Sequence, residues 1–203
     1  VDESSFARLS ELLRYVEGDY QEEATFTRLR QTLGSAQLPL HYLAIPPSLF
    51  PTVVEHLGKS GCAQGARVVV EKPFALTTHE ADSVLAVAEE RRRLAVVYQN
   101  RRFDPDYWAI KKLVEEGRLG TLFRAEAFIG GFQHPCNFWH SDERVSGGAN
   151  FDWGAHVIDQ LLDLMPGEID FVTAAEHKIL WHDVSNADHS RVTIRFADGR
   201  EIE

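Results

Sequence analysis

Three side chains in this sequence have types and positions suited to proton and hydride chemistry: Lys72, Asp152 and His156. Lys72 sits in Glu71-Lys72-Pro73, directly after the apolar run Arg67-Val68-Val69-Val70. Three successive valines read as a strand buried on both faces, and open α/β sheets bind ligands at the C-terminal ends of such strands. The following proline restricts the backbone of Lys72 and can support a cis peptide. An ammonium held there can hydrogen-bond a substrate hydroxyl and bias its proton equilibrium. The opposing reading is an exposed lysine at a strand end, ion-paired with Glu71.

Asp152 and His156 belong to Gly147-Gly148-Ala149-Asn150-Phe151-Asp152-Trp153-Gly154-Ala155-His156. At i and i+4 they share one helix face, where a carboxylate can fix an imidazole's tautomer and hold its pKa in a useful range. Phe151, Ala155, Ile158, Leu162 and Met165 form the core stripe of that helix, and Asp152, His156, Asp159 and Asp163 run beside it. Periodicity alone would make the second row a solvated acidic face. The glycines at 147, 148 and 154 weigh against this, since glycine there suits close approach of another backbone or a ligand. If the three groups act together, the tips of Lys72 and His156 converge across a cleft to within ~6 Å, with Asp152 on the same wall.

Other polar clusters carry less. His134, Cys136 and His140 fall in a loop whose spacing matches no usual zinc pattern, and an aromatic-rich loop lining a pocket fits it better. His182, Asp183, Asp188 and His189 read as a polar turn, so no metal site is expected. Gly58-Lys59-Ser60 resembles the tail of a phosphate loop, but Val53 stands where the loop needs glycine. No Gly-x-Gly-x-x-Gly occurs, so the turn that normally brings a helix N-terminus to a dinucleotide pyrophosphate is missing from these residues.

The elements that must position these groups fall into two kinds. Strands are expected at Leu13–Val16, Leu40–Ile45, Ala66–Val70 and Leu94–Tyr98. Helices are expected at Ala24–Leu33, Leu49–Leu57 and, from an N-cap at Thr78, His79–Arg92. Alternation of this kind implies βαβ units and a parallel sheet, with the last two strands joined by the helix between them. Past residue 100 the pattern changes. A helix over Tyr107–Glu116 precedes a half-exposed strand over Thr121–Ile129, an irregular stretch to Gly148 and a long helix from Asn150 to Leu164. Phe171–Leu180 and Arg191–Phe196 read as antiparallel strands, with a hairpin turn at Ala197-Asp198-Gly199. The fold class is α/β: a partial Rossmann-type parallel sheet followed by an α+β domain with a mostly antiparallel sheet. The boundary gives residues 1–100 and 101–203.

Bulk properties narrow the classes of function. With 203 residues and 44% hydrophobic content the chain can bury a core. A net charge of −10 argues against a nucleic-acid or anionic-membrane surface as the main function. Two cysteines are too few for a disulfide framework, which favours a reducing cytoplasm. No apolar run approaches a membrane span, and the start has neither a signal peptide nor a methionine.

Two resemblances meet at Glu71-Lys72-Pro73. Arg14-Tyr15-Val16-Glu17-Gly18-Asp19-Tyr20, His41-Tyr42-Leu43-Ala44-Ile45-Pro46-Pro47-Ser48-Leu49-Phe50 and Glu71-Lys72-Pro73-Phe74 make residues 12–74 similar to glucose-6-phosphate dehydrogenases. Ala75 stands where that family has glycine, and its Asp-His-Tyr-Leu-Gly-Lys substrate motif is absent. From Glu71 onward the chain resembles the Gfo/Idh/MocA dehydrogenases, through Tyr98-Gln99-Asn100-Arg101-Arg102-Phe103-Asp104, Glu115-Glu116-Gly117-Arg118-Leu119-Gly120 and Asp152-Trp153-Gly154-Ala155-His156. That resemblance implies an NAD- or NADP-dependent oxidoreductase acting on a sugar or cyclitol. Lys72 would touch the reacting hydroxyl and the nicotinamide region, His156 would be the general base and Asp152 would orient it. Ile45, Pro46, Pro47, Glu71, Lys72, Asn100 and Arg101 would contact the cofactor. It further implies that residues 1–100 are a partial dinucleotide-binding domain without the first glycine-rich βαβ unit. Residues 101–203 would be a partial substrate domain whose sheet could serve a homo-oligomer. The rivals are a dehydrogenase-like module that binds no dinucleotide, and glucose-6-phosphate dehydrogenase itself.

Overall fold

The computed structural model describes residues 2–46, 49–90, 92–136 and 138–203. Pro47, one of the expected cofactor contacts, lies outside the described residues.

Helices α1 (Glu3–Leu12) and α2 (Glu23–Leu33) open the chain. Between them, Leu13–Val16 is not a strand. Leu13 and Tyr15 are exposed, and no neighbouring strand offers a ladder, without which a short apolar run has nothing to pair with. Strands β1 (Leu40–Leu43), β2 (Arg67–Val70) and β3 (Ala95–Val97) then form a parallel sheet in that spatial order. Val68 pairs with His41 on one side and Ala95 on the other, so β2 is central. Its valines are half-buried rather than enclosed on both faces. Val68 and Val70 pack on a core of Phe26, Leu43, Val53, Leu57 and Cys62, built by α2, β1 and α3 (Phe50–Lys59). Helix α3 ends at Lys59, two residues past the expected Leu57.

Helix α4 (Thr78–Glu90) links β2 to β3 as expected, but its cap is Thr77 rather than Thr78. The Thr77 hydroxyl accepts from Glu80 N–H at 3.2 Å, and the Glu80 carboxylate accepts from Leu76 N–H at 2.9 Å and Thr77 N–H at 3.1 Å. This is a reciprocal capping box. None of the α4 residues is buried, and Val84, Leu85 and Val87 are exposed.

After β3, a 3₁₀ turn (Asn100–Phe103) leads into α5 (Pro105–Glu115). The expected strand over Thr121–Ile129 reduces to β4 (Arg124–Ala125), because only these residues find a partner, in β7. A second 3₁₀ turn (Trp139–Ser141) and the short helices α6 (Glu143–Ser146) and α7 (Ala149–Asp152) follow. Helix α8 (Gly154–Leu164) comes next, and β5 (Ile169–His177), β6 (His189–Phe196) and β7 (Glu201–Ile202) complete the chain. The second sheet runs β4-β7-β6-β5, antiparallel except for the β4–β7 pair. Its core joins Leu161 and Met165 of the α8 region to Ile194, Phe196 and Ile202.

The single helix expected over 150–164 is thus broken at Trp153. In an unbroken helix His156 N–H would donate to the carbonyl of Asp152. Here it donates to Trp153 O at 3.1 Å, and the Asp152 carbonyl accepts from Lys72 Nζ at 3.0 Å. A contact from the first half of the chain replaces one helical hydrogen bond.

Candidate active site at the seam of the two sheets

The ends of β1 and β2 present Ile45, Pro46, Glu71 and Lys72 to a cavity of about 280 Å³. Trp139 and His140 close its other side. The Lys72-Pro73 peptide is cis. Lys72 is not paired with Glu71, whose carboxylate accepts from the Tyr42 hydroxyl. Its ammonium donates to both the carbonyl and the Oδ1 of Asp152, and both side chains are largely buried, 15% and 13% exposed.

The second carboxylate oxygen of Asp152 meets His140 Nδ1 at 3.0 Å. Asp152 therefore holds Lys72 and His140, and no hydrogen bond joins it to His156 among the described residues. The i, i+4 spacing promised a shared face, but the break at Trp153 and the pull of Lys72 turn the carboxylate toward the first sheet. His156 is buried at 7% exposure, and its Nδ1 is enclosed without a hydrogen-bond partner. Burial pushes the imidazole pKa below its ordinary 6.5, and the charges of Lys72 and Arg101 push it further the same way. Asp152 and Asp159 oppose the shift more weakly. His156 is thus neutral at pH 7.

The rest of the polar row on α8 is no solvated face. Asp159 receives a two-pronged hydrogen bond from Arg102, at 2.6 and 2.7 Å. Asp163 pairs with Lys111 Nζ at 2.7 Å and accepts from the Tyr107 hydroxyl. Gln160 Nε2 donates to Arg101 O at 2.7 Å. These contacts tie α8 to the segment leaving β3, and so fix the strand ends of the first sheet relative to His156. Arg101 itself pairs with Asp104 at 3.0 Å and lies over the Trp153 ring at 5.1 Å.

Gly147 allows the approach. Its φ is +77°, and a Cβ there would come within 2.6 Å of Phe151 and 2.8 Å of Leu76. The glycine brings the turn before α7 against the segment after Glu-Lys-Pro.

The residues present suit the nicotinamide end of a dinucleotide. At the end of β3 the buried Gln99 Oε1 and Asn100 Oδ1 have no hydrogen-bond partner, so two acceptors face a need for donors. The cavity at the neighbouring strand ends is lined by Ile45, Pro46 and Lys72. Nothing in residues 1–203 supplies the glycine turn for the pyrophosphate. No group of three or more potential metal ligands occurs among the described residues. His134 pairs with Asp183 at 2.9 Å and Cys136 with Ser141 at 3.3 Å. The 134–140 loop lines a pocket through Trp139 and His140, as its aromatic content suggested. His140 was expected only as part of a pocket-lining loop, and its contact with Asp152 is what sequence reasoning missed. That contact spans twelve residues, a separation that periodicity cannot interpret.

Residues 1–99 match the glucose-6-phosphate dehydrogenase NAD-binding domain, and residues 107–202 match the GFO/IDH/MocA C-terminal domain. An uncharacterized oxidoreductase of Schizosaccharomyces pombe is 31% identical over 147 residues, covering 71% of this chain and 39% of that protein. The scyllo-inositol 2-dehydrogenase (NADP(+)) IolW of Bacillus subtilis is 30% identical over 151 residues, covering 73% of this chain and 41% of that protein. Glucose-6-phosphate 1-dehydrogenase 1 of Mycobacterium tuberculosis is 35% identical over 116 residues, covering 57% of this chain and 24% of that protein. The chain therefore spans less than half the length of these relatives. Among solved structures, an NAD-binding protein from Listeria innocua has a TM-score of 0.71 at 24% identity, over 100% of this chain and 53% of that one. GenD2 from gentamicin A biosynthesis, solved in complex with NAD, has a TM-score of 0.67 at 22% identity, over 86% of this chain and 49% of that one. These likenesses establish a shared fold.

Proposed function

Because this chain belongs with the oxidoreductases of Gfo/Idh/MocA type, joined to a glucose-6-phosphate dehydrogenase-like NAD-binding segment, we propose that it serves NAD(P)-dependent dehydrogenation of a sugar or cyclitol hydroxyl. The observation that carries this reading is the Lys72–Asp152 pair, which joins a strand end of the first sheet to the helix pair bearing the neutral, buried His156. Bound nicotinamide would accept the hydride at C4.

The protein's own part is to place and deprotonate the alcohol. Lys72 donates a hydrogen bond to the reacting oxygen and favours its anionic character. His156 takes the hydroxyl proton, and its depressed pKa keeps it ready to do so at neutral pH. Asp152 acts by fixing Lys72 rather than by orienting His156. Ile45, Pro46, Glu71, Asn100 and Arg101 form the cofactor side of the cleft, with residues 1–100 as the dinucleotide-binding unit and 101–203 as the substrate unit. The IolW relative acts on scyllo-inositol, which supports a cyclitol as substrate. A cytoplasmic setting and a homo-oligomer formed through the second sheet belong to the same reading. No described helix is long and apolar enough to cross a membrane.

The test is to incubate the purified protein with inositols or aldoses and a high concentration of NAD+ or NADP+. Reduced nicotinamide should appear by its near-ultraviolet absorbance and be lost in Lys72→Met. A folded protein that reduces neither coenzyme with any polyol overturns the proposal. The missing Gly-x-Gly-x-x-Gly favours one alternative, a dehydrogenase-like module that binds no dinucleotide, which such a result would support.

A further inference from the structure

Asp152 presents two oxygens to two different partners. Oδ1 accepts from the Lys72 ammonium and Oδ2 meets His140 Nδ1 at 3.0 Å. An ionised carboxylate only accepts, so Nδ1 carries the proton in this contact and, in the neutral ring, Nε2 is left as a bare acceptor. Among the described residues Nε2 has no hydrogen-bond partner, and the side chain is 32% exposed at the cavity that Lys72 also lines.

The ring is held in place from several directions. Trp139 stacks on it with centroids 3.7 Å apart and an interplanar angle of 27°. Asn186 Nδ2 donates to the His140 carbonyl at 2.6 Å, while Ser185 N–H donates to Ser141 O at 3.3 Å. A loop from the second sheet thus fixes the backbone, Trp139 the ring plane, and Asp152 the tautomer. Asp188 pins that loop in turn, accepting from Ile179 N–H at 2.5 Å and Leu180 N–H at 2.6 Å.

We propose that His140 is a substrate contact whose Nε2 accepts a hydrogen bond from the hydroxyl next to the reacting one, so that the site selects vicinal diols. One carboxylate holds a donor, Lys72, and an acceptor, His140 Nε2, at the cavity that both residues line. Neighbouring hydroxyls of a cyclitol or sugar offer the matching pair, one accepting from the ammonium and one donating to the imidazole. The assignment rests on the dehydrogenase reading above. The charged groups facing His140 are Asp152 from α7, with Lys72 and Glu71 from the end of β2. The 178–188 loop meets it through the uncharged Asn186.

The experiment compares the wild-type protein with His140→Gln, which keeps an acceptor, and His140→Phe, which keeps only the ring. Histidine ¹⁵N spectra identify the His140 tautomer by the signals missing in His140→Phe. Binding and turnover of scyllo-inositol and of its monodeoxy analogue are then compared among the three proteins. The expected result is an unprotonated Nε2 that shifts when scyllo-inositol is added. KM should stay close to the wild-type value in His140→Gln, which keeps the acceptor. In His140→Phe, KM should rise about tenfold, the size of one lost hydrogen bond. The monodeoxy analogue should lose that factor in the wild type and nothing further in His140→Phe.

A protonated Nε2, or equal affinity of wild type and His140→Phe for scyllo-inositol, overturns the assignment whether or not turnover occurs. If the tautomer and the affinity loss are as stated but no polyol is oxidised, the diol contact stands and the dehydrogenase reading falls. If turnover occurs with the same KM in all three proteins, the dehydrogenase reading stands and His140 is only a structural tie.

Discussion

Lys72 and Asp152, separated by 80 positions in the sequence, close an ion pair in which the ammonium also takes the Asp152 backbone carbonyl. The pair does two things at once. It breaks the helix that the sequence would otherwise continue through Trp153, and it couples the end of β2 to the second half of the chain. Since both side chains are largely buried, each charge depends on the other for compensation.

Lys72→Met should therefore lower both activity and stability. Loss of a group that acts on the reacting proton costs roughly 10²- to 10⁴-fold in turnover. Leaving Asp152 without the ammonium costs about 3 kcal/mol of folding free energy. Adding Asp152→Leu should restore much of the stability without restoring activity. Urea titrations and turnover on the same preparations read both quantities, and a fully active Lys72→Met protein would refute the role.

The His156 shift sets a pH window. Its folded pKa lies below the ordinary 6.5, so the unfolded chain binds the proton more readily. Its contribution to stability is full above pH 6.5, declines as pH falls below it, and levels off once the folded pKa is passed. Turnover in the oxidation direction should fall on the same acid side, because a protonated imidazole cannot accept the hydroxyl proton. His156→Gln should flatten both limbs attributable to this group. An NMR titration placing the His156 pKa above 6.5 would reverse the sign of both effects.

The capping box before α4 gives a prediction independent of the chemistry. Thr77→Ala removes the acceptor for Glu80 N–H and should cost about 1 kcal/mol. Glu80→Ala leaves the Leu76 and Thr77 N–H groups to water and should cost a similar amount. The two losses should fall short of additive, because the box is reciprocal. Chemical denaturation of the single and double variants measures this.

Dinucleotide affinity of residues 1–203 by themselves should be low. Lacking a glycine turn, the pyrophosphate has no helix N-terminus or backbone donors to meet it, and a loss of ~4 kcal/mol weakens binding about a thousandfold. Fluorescence titration with NADH and NADPH tests the point. Micromolar affinity would show that other residues hold the pyrophosphate.

What the sequence made legible was mostly local. The three parallel strands, the helix joining β2 to β3, the antiparallel β5–β6 pair and the turn after Phe196 all follow from hydrophobic period and turn residues. Leu13–Val16 failed as a strand because an apolar run says nothing about whether a partner edge exists. Thr121–Ile129 shrank to a two-residue pairing for the same reason. At the site, the residue types of Lys72, Asp152 and His156 were readable, but the connections between them were not. Spacing placed Asp152 with His156, while the coordinates join it to Lys72 and His140, both distant along the chain. The aromatic loop pattern placed His140 at a pocket, but not its tie to Asp152, which depends on a loop contact with Asn186 and a carboxylate on another element.

Strand β5 has a consequence for handling the protein in solution. All nine of its residues are exposed, Ile169, Phe171 and Val172 among them, and it lies at the edge of its sheet. An open edge with apolar side chains is a template for self-association, restrained by like-charge repulsion between molecules. That restraint comes from a net charge of −10 at pH 7 and vanishes near the isoelectric point of about 5.4. Light scattering should therefore rise as pH is lowered toward that point, and added salt should bring the onset to higher pH by screening the same repulsion.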